Sequence, residues 1–297
     1  MNNETHKIFD EISGDKSDGA TSLALRGLDA LDSISPDLPD DPEQAMEIIV
    51  ATVTVLDSLR PSMSAIGTQA VLAASRTRSL MASGLKPGAA LIRATTTERE
   101  ILGQANLTIA NLASREIGPG GCIVSCSWSV TAMRALVALR PDSIRIGEGH
   151  RLGDGLKAAG WLAARGLEVE VFPDGALPMA VEGSRLVLVG ADQVLADGSI
   201  INRCSTFSMA MAASYLGVPF VVACQRIKLG GHRHARIERA DDLFGNLPPG
   251  VTARAPLFDV TPPDLVDSVI TESGRLSPSE AGQVGEGIAN LRNQILG

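Results

Sequence analysis

The chain has 297 residues, of which 44% are hydrophobic, 20% charged and only 3% aromatic, with a formal net charge of −8. That length accommodates two domains of ordinary size with their own apolar cores, and the composition is that of a globular rather than a disordered protein. The acidic balance excludes a broad nucleic-acid surface, which needs a clustered basic footprint, while leaving room for a small anion in a local positive pocket. The four cysteines, Cys122, Cys126, Cys204 and Cys224, lie in or beside apolar runs, and a chain of this length needs no disulfide framework, so a reducing compartment fits. The N-terminal MNNETHKIFDEI has no basic segment leading into an apolar stretch, and no window approaches about 18 uninterrupted apolar residues. The expectation is a cytoplasmic protein with no membrane association.

From Gly19 to about Ser114 apolar residues recur at three and four: Leu25, Leu28 and Leu31, then Ala45, Ile48, Ile49, Val53 and Leu56. That period predicts helices. Pro36, Pro39 and Pro42 separate the first helix from the second, and Gly84–Gly88 precedes a third through the Thr95–Ala113 region. The EIGPGG segment, Glu116–Gly121, breaks the pattern, which sets an all-helical N-terminal domain over 1–117 and a second domain over 118–297.

Beyond Gly121 short β-like runs alternate with helical stretches. Strands are expected at Cys122–Ser125, Ser143–Gly147, Glu168–Phe172, Arg185–Val189 and Pro219–Ala223, and helices near Ser129–Leu139, Gly155–Arg165 and Phe207–Leu216. This alternation predicts an α/β domain with a buried parallel sheet, doubly wound in the Rossmann-like manner. Ligands of such sheets bind beyond the carboxyl ends of the strands, so chemistry is sought after Val124, Ile146, Val189 and Val222.

The run GADQVLADGSIINRCSTFSMAMAA, Gly190–Ala213, is the most informative stretch. The apolar strand LVLV delivers Asp192 to its C-terminal edge. Asp197–Gly198 is a turn signal, and Asn202 and Arg203 precede a helix with Ser205 and Thr206 as cap candidates. A helix N-terminus beside an arginine and an amide can hold a phosphate. The residues alone equally allow Asp192 to cap a loop and Asn202 to satisfy backbone.

This run resembles the GADxVxxxGxxxNKxGT signature of the initiation factor 2B alpha/beta/delta superfamily, which includes methylthioribose-1-phosphate isomerase and ribose-1,5-bisphosphate isomerase. VPFVVAC, Val218–Cys224, is similar to the strand that follows the signature, and LFDVTPPDLVDSVITESG, Leu257–Gly274, to the C-terminal FDxTPPxLIxxxITExG. The resemblance extends from about Arg60 to about Gly274. It implies that Cys126, in IVSCSWS, and Asp192 are the catalytic pair of the isomerases, a pair the regulatory subunits generally lack. Isomerisation across C1 and C2 needs one group to move the C2 proton and another to manage the ring oxygen. A cysteine near a cation and a helix N-terminus can act as thiolate, and a shielded carboxylate can hold a proton near neutral pH; that assigns base to Cys126 and acid to Asp192. A free cysteine can equally be a small buried hydrophobe.

The resemblance also maps substrate binding onto Arg60, Lys228 and Arg203, the last standing in place of the usual lysine, a swap that keeps charge but changes donor geometry. Ser127, Trp128 and Ser129, at the start of the helix after Cys126, join Asn202 as further substrate-binding candidates. The chain departs from the isomerase pattern at SDGAT, Ser17–Thr21, and at Glu148, Gly149, His150 and Arg151, where the family carries ESRP. His232 and His234, in a polar loop with no third ligand nearby, read as solvated, so no metal is expected. There is no GxGxxG after a strand, no P-loop and no GxSxG elbow. The implied activity is isomerisation of a sugar 1-phosphate, most simply ribose 1,5-bisphosphate, without a cofactor, in a homodimer or higher homo-oligomer. The alternative is a non-catalytic regulatory subunit that binds a nucleotide or sugar phosphate.

Overall fold

The structure, a computed structural model, describes residues 2–15, 19–60, 63–149, 152–231 and 244–297. His232, His234, His150, Arg151, and the Ser17 and Asp18 of SDGAT lie outside the described residues. The chain divides into two compact units, one of Met1–Gln104, Gly230–His232 and Val284–Gly297, the other of Ala105–Leu229 and Arg233–Gln283.

The first unit is helical. It contains α1 (Asn3–Gly14), α2 (Ala20–Ile34), α3 (Pro42–Leu59), α4 (Ala65–Ala82) and the start of α5 (Pro87–Ile117). The Asp41 carboxylate accepts the Gln44 N–H at 2.9 Å and Pro42 occupies the first helical position, so the punctuation that marks the start of α3 in the sequence also caps it. Ala45, Ile49, Val53 and Leu56 fall on one face of α3 and are buried with Leu23, Leu28, Leu31, Ile66 and Leu91. Two helices, α1 and α4, were not separately expected, and α5 begins before Thr95.

The second unit carries the sheet. The remaining elements in chain order are β1 (Cys122–Ser125), α6 (Val130–Leu139), β2 (Ser143–Gly147), α7 (Asp154–Ala163), β3 (Val169–Phe172), α8 (Leu177–Ala180), β4 (Leu186–Val189), β5 (Gln193–Leu195), β6 (Ile200–Arg203), α9 (Thr206–Leu216), β7 (Phe220–Ala223), β8 (Leu229–Gly231), β9 (Phe258–Thr261), β10 (Ser268–Thr271), β11 (Gly274–Leu276) and α10 (Pro278–Leu296), of which β8 from Gly230 and α10 from Val284 belong to the first unit. Seven strands form one sheet in the order β11-β10-β7-β4-β1-β2-β3, parallel except for the antiparallel edge strand β11. All four residues of β4 and of β7 are buried, the uniform apolar pattern of strands covered on both faces. The doubly wound parallel-sheet fold expected from the alternation is therefore present. Beside it, β6 pairs antiparallel with β5 and with β9. The Asp197–Gly198 turn signal marks the β5–β6 hairpin, with Gly198 at φ +81°.

The division between units differs from the 117/118 cut. Helix α5 runs unbroken to Ile117, yet Ile109 and Ala113 already belong to the apolar core of the sheet unit. At the other end Ile295, on α10, belongs to the helical core. The glycine-rich segment after Ile117 thus ends a helix, and packing changes before it. Among the described residues no helix is long and apolar enough to cross a membrane.

Candidate active site

Strand order locates the site. The chain lays β2 and β3 to one side of β1 and then returns to place β4 on the other, so the direction of winding reverses between β1 and β4. The pairing Ile123↔Leu186 and Val124↔Val187 puts the carboxyl ends of these two strands side by side. Crevices at such a reversal are the ligand sites of open α/β sheets. Cys126 follows β1 directly and Asp192 lies three residues past the end of β4. Gly190 makes the close approach possible, because a Cβ there would sit 2.4 Å from the Ser129 Oγ.

A cavity lies at this edge, with Cys126, Ser127, Asp154, Asp174, Arg203 and Cys204 in its wall together with Ala255, Pro256 and Leu257. Cys126 is 3% exposed. Its sulfur is 3.6 Å from Thr206 Oγ1 and 3.9 Å from Asn202 Nδ2. The Thr206 hydroxyl donates its one proton to the Arg203 carbonyl at 2.6 Å, and its oxygen accepts from Asn202 Nδ2 at 3.0 Å. The remaining lone pair faces the sulfur, so the thiol is the donor in that contact. Burial pushes the Cys126 pKa up to about 12, and Asp259, Asp154 and Asp174 push in the same direction. A hydrogen bond from Thr206 would lower it, but that proton is already committed. The thiolate expected at this position is thus corrected: desolvation and three carboxylates favour the thiol form of Cys126. Cys204 is pushed up to about 11, first by burial and then by Asp259, against the pull of Arg203.

Helix α9 begins after Ser205, which has φ +89° and no side-chain cap bond. Its N-terminus is held instead by Asp259 of β9. That carboxylate accepts the Phe207 N–H through Oδ2 at 3.1 Å, and the neighbouring N–H groups of Ser205 and Thr206 also favour its charged form. Burial raises Asp259 to about 6, with these N–H groups working the other way. Arg203, at the end of β6, donates through Nε to Asp154 Oδ2 at 3.1 Å, and Ser127 Oγ donates to the same oxygen at 2.8 Å. Ser127 holds φ +63°.

The other candidates have partners of their own. Asn202 is 5% exposed and reaches the Cys126 sulfur as described. Lys228, 9% exposed, donates through Nζ to the Ala191 carbonyl at 2.5 Å, which ties it to the backbone beside Asp192. The half-buried Asp192 donates its N–H to the Ile201 carbonyl at 2.9 Å and is not among the cavity-wall residues. Ser129 caps α6, accepting the Ala132 N–H at 3.3 Å. Trp128 turns away into packing, edge-on to Trp161 at 5.9 Å and with Lys157 4.8 Å from its ring centroid. Arg60 belongs to the helical unit, where Nη1 donates to the Asp15 carbonyl at 2.6 Å. Asp154, Asp174, Cys204 and Asp259 escape sequence reasoning. Asp259 falls within LFDVTPPDLVDSVITESG, where Asp264, Asp267 and Glu272 offer the same signal.

Residues 16–278 match the Initiation factor 2 subunit family. The chain is 31% identical over 231 residues to the ribose 1,5-bisphosphate isomerase of Haloterrigena turkmenica, across 70% of this chain and 68% of that one. It is 26% identical over 280 residues to a putative translation initiation factor eIF-2B subunit 2-like protein of Pyrococcus furiosus, across 92% and 96% of the two chains. Its fold superposes on the translation initiation factor eIF-2B of Pyrococcus horikoshii OT3 with a TM-score of 0.77 at 22% identity, covering 94% of this chain and 99% of that one. The match over most of the chain, with the signature residues gathered at one sheet edge, establishes that this protein belongs to the Initiation factor 2 subunit family.

Proposed function

We propose that the chain is an aldose–ketose isomerase acting on a sugar 1-phosphate, with ribose 1,5-bisphosphate to ribulose 1,5-bisphosphate as the first reaction to test. The observation that carries the reading is a buried thiol in a cavity wall at the β1/β4 reversal, with the GAD aspartate just past the adjoining strand end. A pure scaffold has no use for that pair.

A 1-phosphate leaves no free aldehyde, so the ring must open at C1. The C1–O bond breaks with its electron pair going to the ring oxygen, which takes a proton; C2–H breaks to give an enol bearing the phosphate. The C2 hydroxyl then collapses to a carbonyl while C1 takes a proton. One hydrogen has moved from C2 to C1, and no net oxidation occurs. The resting thiol supports exchanging the expected roles: Cys126 supplies the proton to the ring oxygen and Asp192 removes the one at C2. Arg203 and Lys228 supply positive potential for the phosphate and the developing negative charge. The experiment is to follow ribose 1,5-bisphosphate and methylthioribose 1-phosphate with the purified protein by ¹³C and ³¹P NMR. Ketose from either supports the reading.

The near-complete coverage of an eIF-2B subunit 2-like relative favours a second reading, a non-catalytic regulatory subunit that binds a nucleotide or sugar phosphate. Absence of turnover together with tight nucleotide binding would decide for it.

A further inference from the structure

Asp154 joins three segments at the cavity. Its Oδ2 accepts from Ser127 Oγ at 2.8 Å and from Arg203 Nε at 3.1 Å, while Oδ1 accepts the Gly155 N–H at 3.0 Å. Its Oδ1 lies close against Gly149. Gly149, at φ +74°, leaves space that a Cβ would close to 1.9 Å from Oδ1, and Gly155 packs so tightly on the end of β2 that a Cβ would lie 1.8 Å from the Gly147 carbonyl oxygen. The start of α7 is thus wedged against the strand end, and the carboxylate is fixed by it.

Arg203 is held along one edge by this carboxylate and on one face by Phe258, whose ring centroid is 5.3 Å from the guanidinium carbon. Among the described residues neither of its Nη atoms has a hydrogen-bond partner, and Arg203 is part of the cavity wall. A guanidinium clamped through Nε presents its two Nη groups as a fork, the geometry that meets two oxygens of a phosphate. A lysine at 203 has a single donor group and cannot be both clamped and forked. We propose that Asp154 is a positioning residue that fixes Arg203 as a two-pronged receptor for the substrate phosphate, an inference that rests on the sugar-phosphate reading above.

The alternative role for Asp154, a fixed negative charge in the cavity, predicts the opposite sign, because neutralising it would tighten anion binding. Isothermal titration with inorganic phosphate and with ribose 1,5-bisphosphate on wild type, D154N, D154E, R203K and the double variant D154N/R203K separates the two. Positioning predicts that D154N and R203K each raise Kd by about tenfold, and that the double variant stays within about twofold of R203K alone, since aiming a fork that is gone has no value. D154E keeps the charge but moves the oxygens by one methylene, so it carries the same loss and serves if D154N does not fold. Tighter binding in D154N, unchanged binding in D154E, or losses that multiply to about a hundredfold in the double variant would overturn the proposal. Wild type that binds neither probe removes the phosphate site and the proposal together. Wild type that binds without turnover removes the isomerase and leaves the clamp standing.

Discussion

The resting state of Cys126 can be tested by alkylation. Burial and three carboxylates move its pKa from 9.0 to about 12. At pH 8 a thiol of pKa 9 is about 10% ionised and one of pKa 12 about 0.01%, a difference on the order of a thousandfold. The more basic thiolate is intrinsically more nucleophilic; with a Brønsted slope of about 0.4–0.5 it recovers roughly 20-fold. Cys126 should therefore react with iodoacetamide at least about 50-fold more slowly in the native protein than in the urea-unfolded chain, and burial slows it further. Peptide mapping by mass spectrometry resolves it from Cys122, Cys204 and Cys224. Burial without a pKa change would also slow labelling, so pH dependence decides: the logarithm of the rate should climb with unit slope from pH 8 past pH 10. A plateau below pH 10, or labelling within a few-fold of the unfolded rate, would show that the Cys126 pKa is not raised and would remove the ground for the role exchange between Cys126 and Asp192.

Further outcomes follow from individual contacts. Asp259, raised from 3.8 to about 6, binds its proton more tightly folded than unfolded. Its contribution to stability is therefore full below about pH 4 and is lost as pH rises through 6. Relative to wild type, D259N should gain up to about 3 kcal/mol in urea unfolding between pH 3.5 and pH 7, while its amide oxygen still faces the N-terminus of α9; a pH-independent difference would contradict the assignment. Gly155→Ala should cost on the order of 3 kcal/mol in chemical denaturation, because its Cβ would lie 1.8 Å from the Gly147 oxygen, and a neutral effect would show that the wedge is soft. Helix α9 contains no charged residue and exposes Phe207, Met211 and Tyr215 at four-residue spacing. If a second copy covers that stripe, sedimentation should give a dimer or larger for wild type and a smaller species for M211E/Y215E; a monomeric wild type would exclude it.

The helices of the first unit and the parallel strands of the second are legible because period and punctuation agree: Asp41 and Pro42 both mark and cap α3, and LVLV is apolar throughout because both faces of β4 are covered. The same run shows where local signals mislead. Ser205 and Thr206 read as caps of α9, yet Asp259, far along the chain, takes that role. Thr206 instead serves the cysteine, a contact across 80 positions in sequence. Asp154 reads as one polar residue among glycines in RLGDG, and its link to Arg203 exists only once α7 packs on the end of β2. Resting charge was misread for a related reason. The helix start that follows Cys126 is visible in sequence, whereas burial and the carboxylates of Asp154, Asp174 and Asp259 become visible only in the folded chain. Arg60 is assigned by resemblance and Trp128 by its place after Cys126, and neither ground says where a side chain turns.

The most direct test of the account is turnover of ribose 1,5-bisphosphate by C126S and D192N beside wild type, with binding measured in parallel. The account predicts that wild type forms ketose, that each variant loses at least about a hundredfold in kcat, and that both still bind substrate within a few-fold of wild type. Full turnover by either variant would contradict it.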